Sequence, residues 1–419
     1  MNTPIVAFIS SYIEKDFVRL HMPGHKGALN GRDITEVKGT DDLIEASERN
    51  ASAIFGCPTF YSSEGSSLAI RAMLSILLRH TGKKTVVASR NCHQTFISAC
   101  ALLDLDVVWL PCSDLISSSI SLETLENILK DTDPCCVYIT SPDYLGTISD
   151  ITSIASLCHE NGTYLAVDNA HGAYLKFFNM HPMDLGADIC CDSAHKTLPV
   201  LTGGAYLHVS NDLNLDVRRE LSLFSSTSPS WLILESLDRA NATMADQDFM
   251  DKLQETASLV KSLRTTMDTC GSEPLKVTLA PNSYGYTGDE VADILRTNGI
   301  EPEFSDMNYL TLMFSPYNTD KDYEKLQKAL DSIVRKPALN LPHYIVPEPS
   351  KVLGIRQAVF SKTTTISVED AEGKVAGFVK TSCPPAIPIV TAGERITAEH
   401  IKVLKAYGFE TIEVCCDFE

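Results

Sequence analysis

Much is missing from this 419-residue sequence, and each absence excludes something. No apolar run is long enough to cross a bilayer, so no membrane-spanning helix is expected. Positive charge is short: 35 Lys and Arg stand against 54 Asp and Glu, a formal net charge of −19. That balance argues against nucleic acid and anionic membranes as partners, and it reads as a device for solubility. There is no Cys-x-x-C spacing. The 13 cysteines are odd in number, and Cys135-Cys136, Cys190-Cys191 and Cys415-Cys416 are adjacent pairs, awkward as disulfides or zinc ligands. Most other cysteines sit in apolar runs and read as small core residues, which suits a reducing cytoplasm; no metal centre is expected. The opening MNTPIVAFISSYIEKD has neither a basic start nor a long apolar core, so it is not read as a signal peptide. Internal repeats and low-complexity tracts are absent too.

What is present is ordinary for a globular chain of two or three domains: 44% hydrophobic and 21% charged residues. Short β-rich runs alternate with helical patterns. Strands are expected at 85–89, 106–110, 136–140, 164–167, 187–191 and 205–209, and helices at 68–78, 94–103, 122–130 and 150–161. Asp150 is expected to cap the last of these helices and Gly162 to stop it. Such alternation predicts an α/β fold with a mostly parallel sheet and helices on both faces. An N-terminal helix is expected over 1–18 and a long helical pair over 229–270. A smaller α/β unit should follow, with strands at 276–279, 301–304 and 309–314 and helices at 289–297 and 320–334. Residues 337–349 are Pro-rich and read as a linker before a C-terminal α+β region. The expected divisions are 1–44, 45–270, 271–336 and 337–419.

Ionisable residues gather where buried strands stop, which is where open α/β sheets place ligands. Asp168-Asn-Ala170-His171 follows one strand and Ser193-Ala-His195-Lys196-Thr the next. An acid and a lysine on adjacent strand ends suggest pyridoxal phosphate: the amine takes up the cofactor aldehyde, and the acid keeps the pyridine nitrogen protonated. A partly buried site would lower the pKa of the amine and make it nucleophilic. Singly, a lysine is most often a solvated surface residue and a strand-end Asp a helix cap. The pair, with two histidines and the Gly203-Gly204 turn, outweighs both readings. Upstream, Glu64-Gly65-Ser66-Ser67 opens a helix and can present amides and hydroxyls to an anion, although plain serine capping explains the same pattern.

These segments resemble the Orn/Lys/Arg decarboxylases, fold type I enzymes that use pyridoxal phosphate. The resemblance runs from about residue 19 to 245 and returns near 370 to 405, and it is strongest to the shorter bacterial members. It implies Lys196 as the Schiff-base lysine and Asp168 as the partner of the pyridine nitrogen. His93, in Arg90-Asn-Cys-His93, would stack on the ring and so select which bond is broken. Gly65, Ser66, Ser67, Ser193 and His195 would hold the phosphate. Ala170 would line the cofactor, and His171 would meet its phenolic oxygen. Thr227 and Ser228, in a Ser-Pro-Ser segment, would approach the phosphate of a neighbouring subunit, so a homodimer is implied. Met22-Pro-Gly24-His-Lys26 also resembles a family segment, without an assigned role. Glu64 stands where relatives commonly carry Asn, and a carboxylate beside a phosphate is unfavourable unless it points away. Cys383 and Ala386 replace the Tyr and Gly of the family's Y-P-P-G, whereas Glu394 is kept. The implied activity is decarboxylation of lysine, arginine or ornithine in the cytoplasm. The same cofactor residues also serve aminotransferases, aldolases and non-catalytic relatives.

Overall fold

The computed structural model describes residues 1–419 apart from 41, 113, 118, 214–215, 264–266, 343, 379–380, 382–386 and 417–419. Seven strands make the main sheet: β1 Thr59–Ser62, β2 Thr85–Ala88, β3 Asp106–Trp109, β4 Cys136–Thr140, β5 Tyr164–Asp168, β6 Ile189–Asp192 and β7 Ala205–Val209. Their order is β1-β7-β6-β5-β4-β2-β3. The pairings β2–β3, β2–β4, β4–β5 and β5–β6 are parallel, while β7 runs antiparallel to both its neighbours.

The strands read as unbroken apolar runs because both faces are covered. Alternate residues serve opposite cores. Val86, Ala88, Cys136 and Tyr138 join one core with α3 (Gly65–Thr81) and α4 (Gln94–Leu103). Val87, Val137 and Ile139 join another with α5 (Leu122–Asp131) and α6 (Ile151–Glu160). Ser121 caps α5 and Asp150 caps α6 through side-chain bonds to backbone N–H groups.

Around this sheet lie α1 (Pro4–Glu14), α2 (Leu43–Phe55), the single turn α7 (Ala194–Thr197), α8 (Val217–Ser222), α9 (Trp231–Met244) and α10 (Gln247–Leu263). The buried Asp238 of α9 fixes α1: its Oδ2 accepts from the N–H groups of Ile5 and Val6 at 2.9 and 3.0 Å. A second, antiparallel sheet has the order β10-β11-β9-β8, from β8 (Thr269–Cys270), β9 (Lys276–Leu279), β10 (Phe304–Ser305) and β11 (Leu310–Met313). Helices α11 (Gly288–Thr297) and α12 (Asp320–Asp331) pack on it. The C-terminal part holds α13 (Ile355–Val359), α14 (Ala398–Ala406) and the antiparallel pair β12 (Thr363–Ser367) with β13 (Thr411–Cys415).

Several expectations change. The strand expected at 301–304 begins only at Phe304, because Pro302 has no N–H to give a ladder. The helix expected to reach 270 ends at Leu263, and Thr269–Cys270 is an edge strand. The first helix is shorter than 1–18, with Pro4 opening it, whereas α3 extends beyond 68–78 at both ends. Among the described residues no helix is long and apolar enough to cross a membrane, and the described cysteines are all free.

Candidate active site

The parallel strands end on one edge of the sheet, and the singled-out residues collect there. Asp168 is the last residue of β5 and is only 2% exposed. Its Oδ2 accepts from the Tyr138 hydroxyl at 3.1 Å, and its Oδ1 accepts from the Ala170 N–H at 3.2 Å. Three residues on, His171 is buried, and its Nε2 lies 2.9 Å from Lys196 Nζ. Lys196 sits on α7, one turn past the end of β6. The adjacent strand ends are thus closed into one constellation by a direct contact between their turns.

Burial, with the charge of Lys196 next in importance, drives the His171 imidazole well below its ordinary pKa, so it is neutral. A neutral Nε2 accepts from the ammonium of Lys196. The hydrogen then rests on Nδ1, which is buried with no hydrogen-bond partner among the described residues. His93 lies half-buried on the same edge. Burial lowers its pKa; the charge of Asp168 opposes this and that of Lys196 adds to it, which places the ring near both. His93 Nδ1 accepts from Thr95 N–H at 3.1 Å and caps α4.

The other end of the site is the N-terminus of α3. Gly65 has φ +73°, a left-handed turn that glycine adopts without strain, and its N–H donates to Gly203 O at 2.7 Å. The first turn of a helix leaves amides without intrahelical acceptors. Ser193 Oγ donates to Ser66 Oγ at 2.8 Å, and Ser67 Oγ lies 3.2 Å from Thr95 Oγ1. His195 donates from Nδ1 to Gly204 O at 3.0 Å; burial pushes its pKa down. Glu64 does not compete for this turn: its Oε1 accepts from Ser226 N–H at 2.7 Å.

These residues fit pyridoxal phosphate. Hydroxyls and helix amides at one end suit a phosphate, a buried carboxylate suits a pyridinium, and an amine lies between. His171, whose Nε2 stands beside the Lys196 amine, suits a phenolic oxygen next to it. Two expectations need correction or placement. Lys196 was expected to be partly buried, but it is exposed in the single chain, because α7 sits on the open edge and the burial falls on His171 instead. Thr227 and Ser228 are also exposed, next to the Ser226 that holds Glu64. The altered positions Cys383 and Ala386 lie outside the described residues.

Sequence reasoning missed several neighbours. Tyr138 lay hidden in a mostly apolar strand. Tyr144 packs edge-on against His171 with centroids 5.0 Å apart, and its hydroxyl donates to Glu303 Oε1 at 2.9 Å. Lys276 and Glu273 form a fully buried ion pair at 2.7 Å, close enough for the lysine to act on His171. Tyr144 belongs to the loop 141–147, which in sequence also resembles the family's loop after strand β4, whereas Tyr138, Glu273 and Lys276 are brought to the edge only by chain folding. Glu394 also gains a partner: both its oxygens bind Arg90, at 2.6 and 2.7 Å, three residues before His93.

Comparison with known proteins agrees with this geometry. Residues 30–280 match the family described as Orn/Lys/Arg decarboxylase, major domain. Two Bacillus subtilis proteins, the uncharacterized YaaO and an arginine decarboxylase, are each 28% identical over 96% of this chain, covering 94% and 93% of their own lengths. The lysine decarboxylase LdcF of Francisella novicida superposes with a TM-score of 0.79 at 17% identity, over 98% of this chain and 79% of that one. With the family match spanning most of the sheet and every strand end of the site, this chain belongs to the Orn/Lys/Arg decarboxylase family of pyridoxal-phosphate-dependent enzymes.

Proposed function

We propose that the chain decarboxylates a basic L-amino acid, lysine, arginine or ornithine, to the corresponding amine and CO₂, with pyridoxal phosphate held at Lys196. The observation that carries this reading is the Lys196 Nζ contact of 2.9 Å to a neutral His171, beside the buried Asp168. The cofactor, when bound, supplies an aldehyde for the substrate amine and a ring that accepts the electrons left at the α-carbon. Lys196 Nζ is the amine for that aldehyde; once displaced, it holds a proton within reach of the α-carbon. Asp168, fixed by Tyr138 and the Ala170 N–H, keeps a proton on the ring nitrogen. Ala170 and His93 bracket the ring plane and so decide which bond stands perpendicular to it. His171 serves the phenolic oxygen from beside the Lys196 amine. Gly65, Ser66, Ser67, Ser193 and His195 hold the phosphate, and Thr227 and Ser228 reach the phosphate of a second copy in a homodimer. The exposed carboxylate of Glu303, brought to the rim by Tyr144, suits the cationic end of a basic side chain. A cytoplasmic, reducing location suits the many free cysteines.

The test is CO₂ release from lysine, arginine and ornithine, with keto-acid product measured in parallel. Lys196→Ala should lose both turnover and the visible absorbance of the bound cofactor. A keto acid without CO₂, or an unchanged spectrum in Lys196→Ala, would overturn the assignment.

A further inference from the structure

Beneath the two turns of the site lies a fully buried carboxylate that the reaction does not touch. Asp192 ends β6, immediately before Ser193, and has no solvent exposure. Its Oδ1 accepts from Asn169 Nδ2 at 2.6 Å. Its Oδ2 lies 3.1 Å from His181 Nε2 and 3.0 Å from His208 Nε2. Asn169, His181 and His208 are also fully buried. His181 Nδ1 accepts from Met183 N–H, so its hydrogen sits on Nε2 and points at Asp192. Burial keeps His208 neutral, and its Nδ1 is engaged by Thr59 Oγ1 at 2.9 Å. Burial alone would raise the Asp192 pKa, but the two histidines outweigh it and hold the carboxyl well below the usual range.

Cys190 Sγ stands close to the same carboxylate and completes a set of groups able to hold a metal. The tautomer of His181 opposes that use, because a ligating Nε2 must carry no hydrogen. The cluster is better described as one anion receiving three N–H donors.

Asn169 follows Asp168 in the chain, and its backbone N–H also donates to Cys191 O at 2.9 Å. Its side chain is clamped from the other side, since a Cβ on Gly172 would fall 1.9 Å from its Oδ1. The two turns are therefore joined twice below the site, by Asn169 Nδ2 to Asp192 and by Asn169 N–H to Cys191 O, and the histidines tie Asp192 in turn to β7 and to the 3₁₀ turn at 182–185. We infer that Asp192 is a positioning residue, whose bond to Asn169 sets the separation of Asp168 and Lys196 and thereby the grip on the cofactor. The inference rests on the cofactor reading given above.

An exchange of partners tests it. Asp192→Asn can still accept from both histidines through its amide oxygen. Its new Nδ2–H then forces Asn169 to turn its own oxygen inward, leaving the Asn169 N–H₂ facing Gly172. Asn169→Asp sets two carboxylates 2.6 Å apart. The double variant Asn169→Asp/Asp192→Asn restores an N–H donor facing an acceptor oxygen between the two residues, with the charge moved one group along. Cofactor affinity is measured on apoprotein by absorbance titration without substrate, beside kcat, KM and the apoprotein melting temperature. The affinity should fall by roughly ten-fold in Asp192→Asn and further in Asn169→Asp, with KM little changed, and should recover in the double variant. Single variants that bind cofactor as the parent does would overturn the inference. So would losses that follow melting temperature alone and are not recovered by the exchange. If the parent itself takes up no pyridoxal phosphate, the cofactor reading fails first, which separates the two outcomes.

Discussion

Consider Glu394→Ala. Glu394 and Arg90 form a two-pronged ion pair with side chains 3% and 2% exposed, and Glu394 Oε2 also accepts from Thr391 N–H at 2.9 Å. A surface pair of the same geometry would contribute about 0–1 kcal/mol. Here removal of the carboxylate strands a guanidinium in the interior. What remains to it is Thr391 Oγ1 at 3.2 Å, Ile389 O at 3.5 Å and the face of Trp109, 4.9 Å away. Losing one member of a buried pair costs about 3–5 kcal/mol, and the ring contact, present in the parent as well, offsets none of it. For a chain of this length that is a fall in melting temperature of roughly 3–5 °C. Arg90→Met/Glu394→Met removes both charges together and leaves chiefly Thr391 N–H without its acceptor, so it should cost only about 1–2 kcal/mol. Urea and thermal unfolding followed by circular dichroism of Arg90→Met, Glu394→Met and the double variant would measure the cycle. If the single losses simply add in the double variant, the pair is not coupled and the reasoning fails. The pH dependence has a definite sign. Burial would raise the Glu394 pKa, but Arg90 outweighs it, so the folded value lies below the ordinary 4.5. The pair's stabilisation is therefore complete above about pH 4.5 and is lost as the pH falls through the folded value.

Asp238→Ala should free the first turn of α1, with a loss of about 1–3 kcal/mol and faster amide exchange confined to residues near Ile5 and Val6; unchanged exchange there would contradict the cap. Gly172→Ala must displace Asn169, since its Cβ would sit 1.9 Å from Oδ1; cofactor affinity should drop, and a crystal structure with Asn169 unmoved would contradict this. His171 stays neutral through neutral pH and well into acid, so its ring-nitrogen NMR signals should not titrate near 6.5; a transition there would show that Lys196 and burial do not govern it. Tyr144→Phe removes the hydroxyl that holds Glu303, and should raise KM for basic substrates with less effect on kcat; an effect on kcat alone would remove Glu303 from the rim.

The sequence by itself determined the alternation of strands and helices, the strand ends carrying Asp168 and Lys196, and the Gly65-Ser66-Ser67 helix start. Those features depend on residue period, capping and turn chemistry within a few neighbours, so they are written locally. Misplaced boundaries, such as the strand expected at 301–304, fell where one proline outweighed an apolar pattern. Only the tertiary structure decided who faces whom. Arg90 meets Glu394 across 304 residues, Tyr138 meets Asp168 from a neighbouring strand, and Asp192 gathers Asn169, His181 and His208 from three separate segments. Such pairings depend on strand order and crossover, and neither is encoded in the spacing of residues along any one segment.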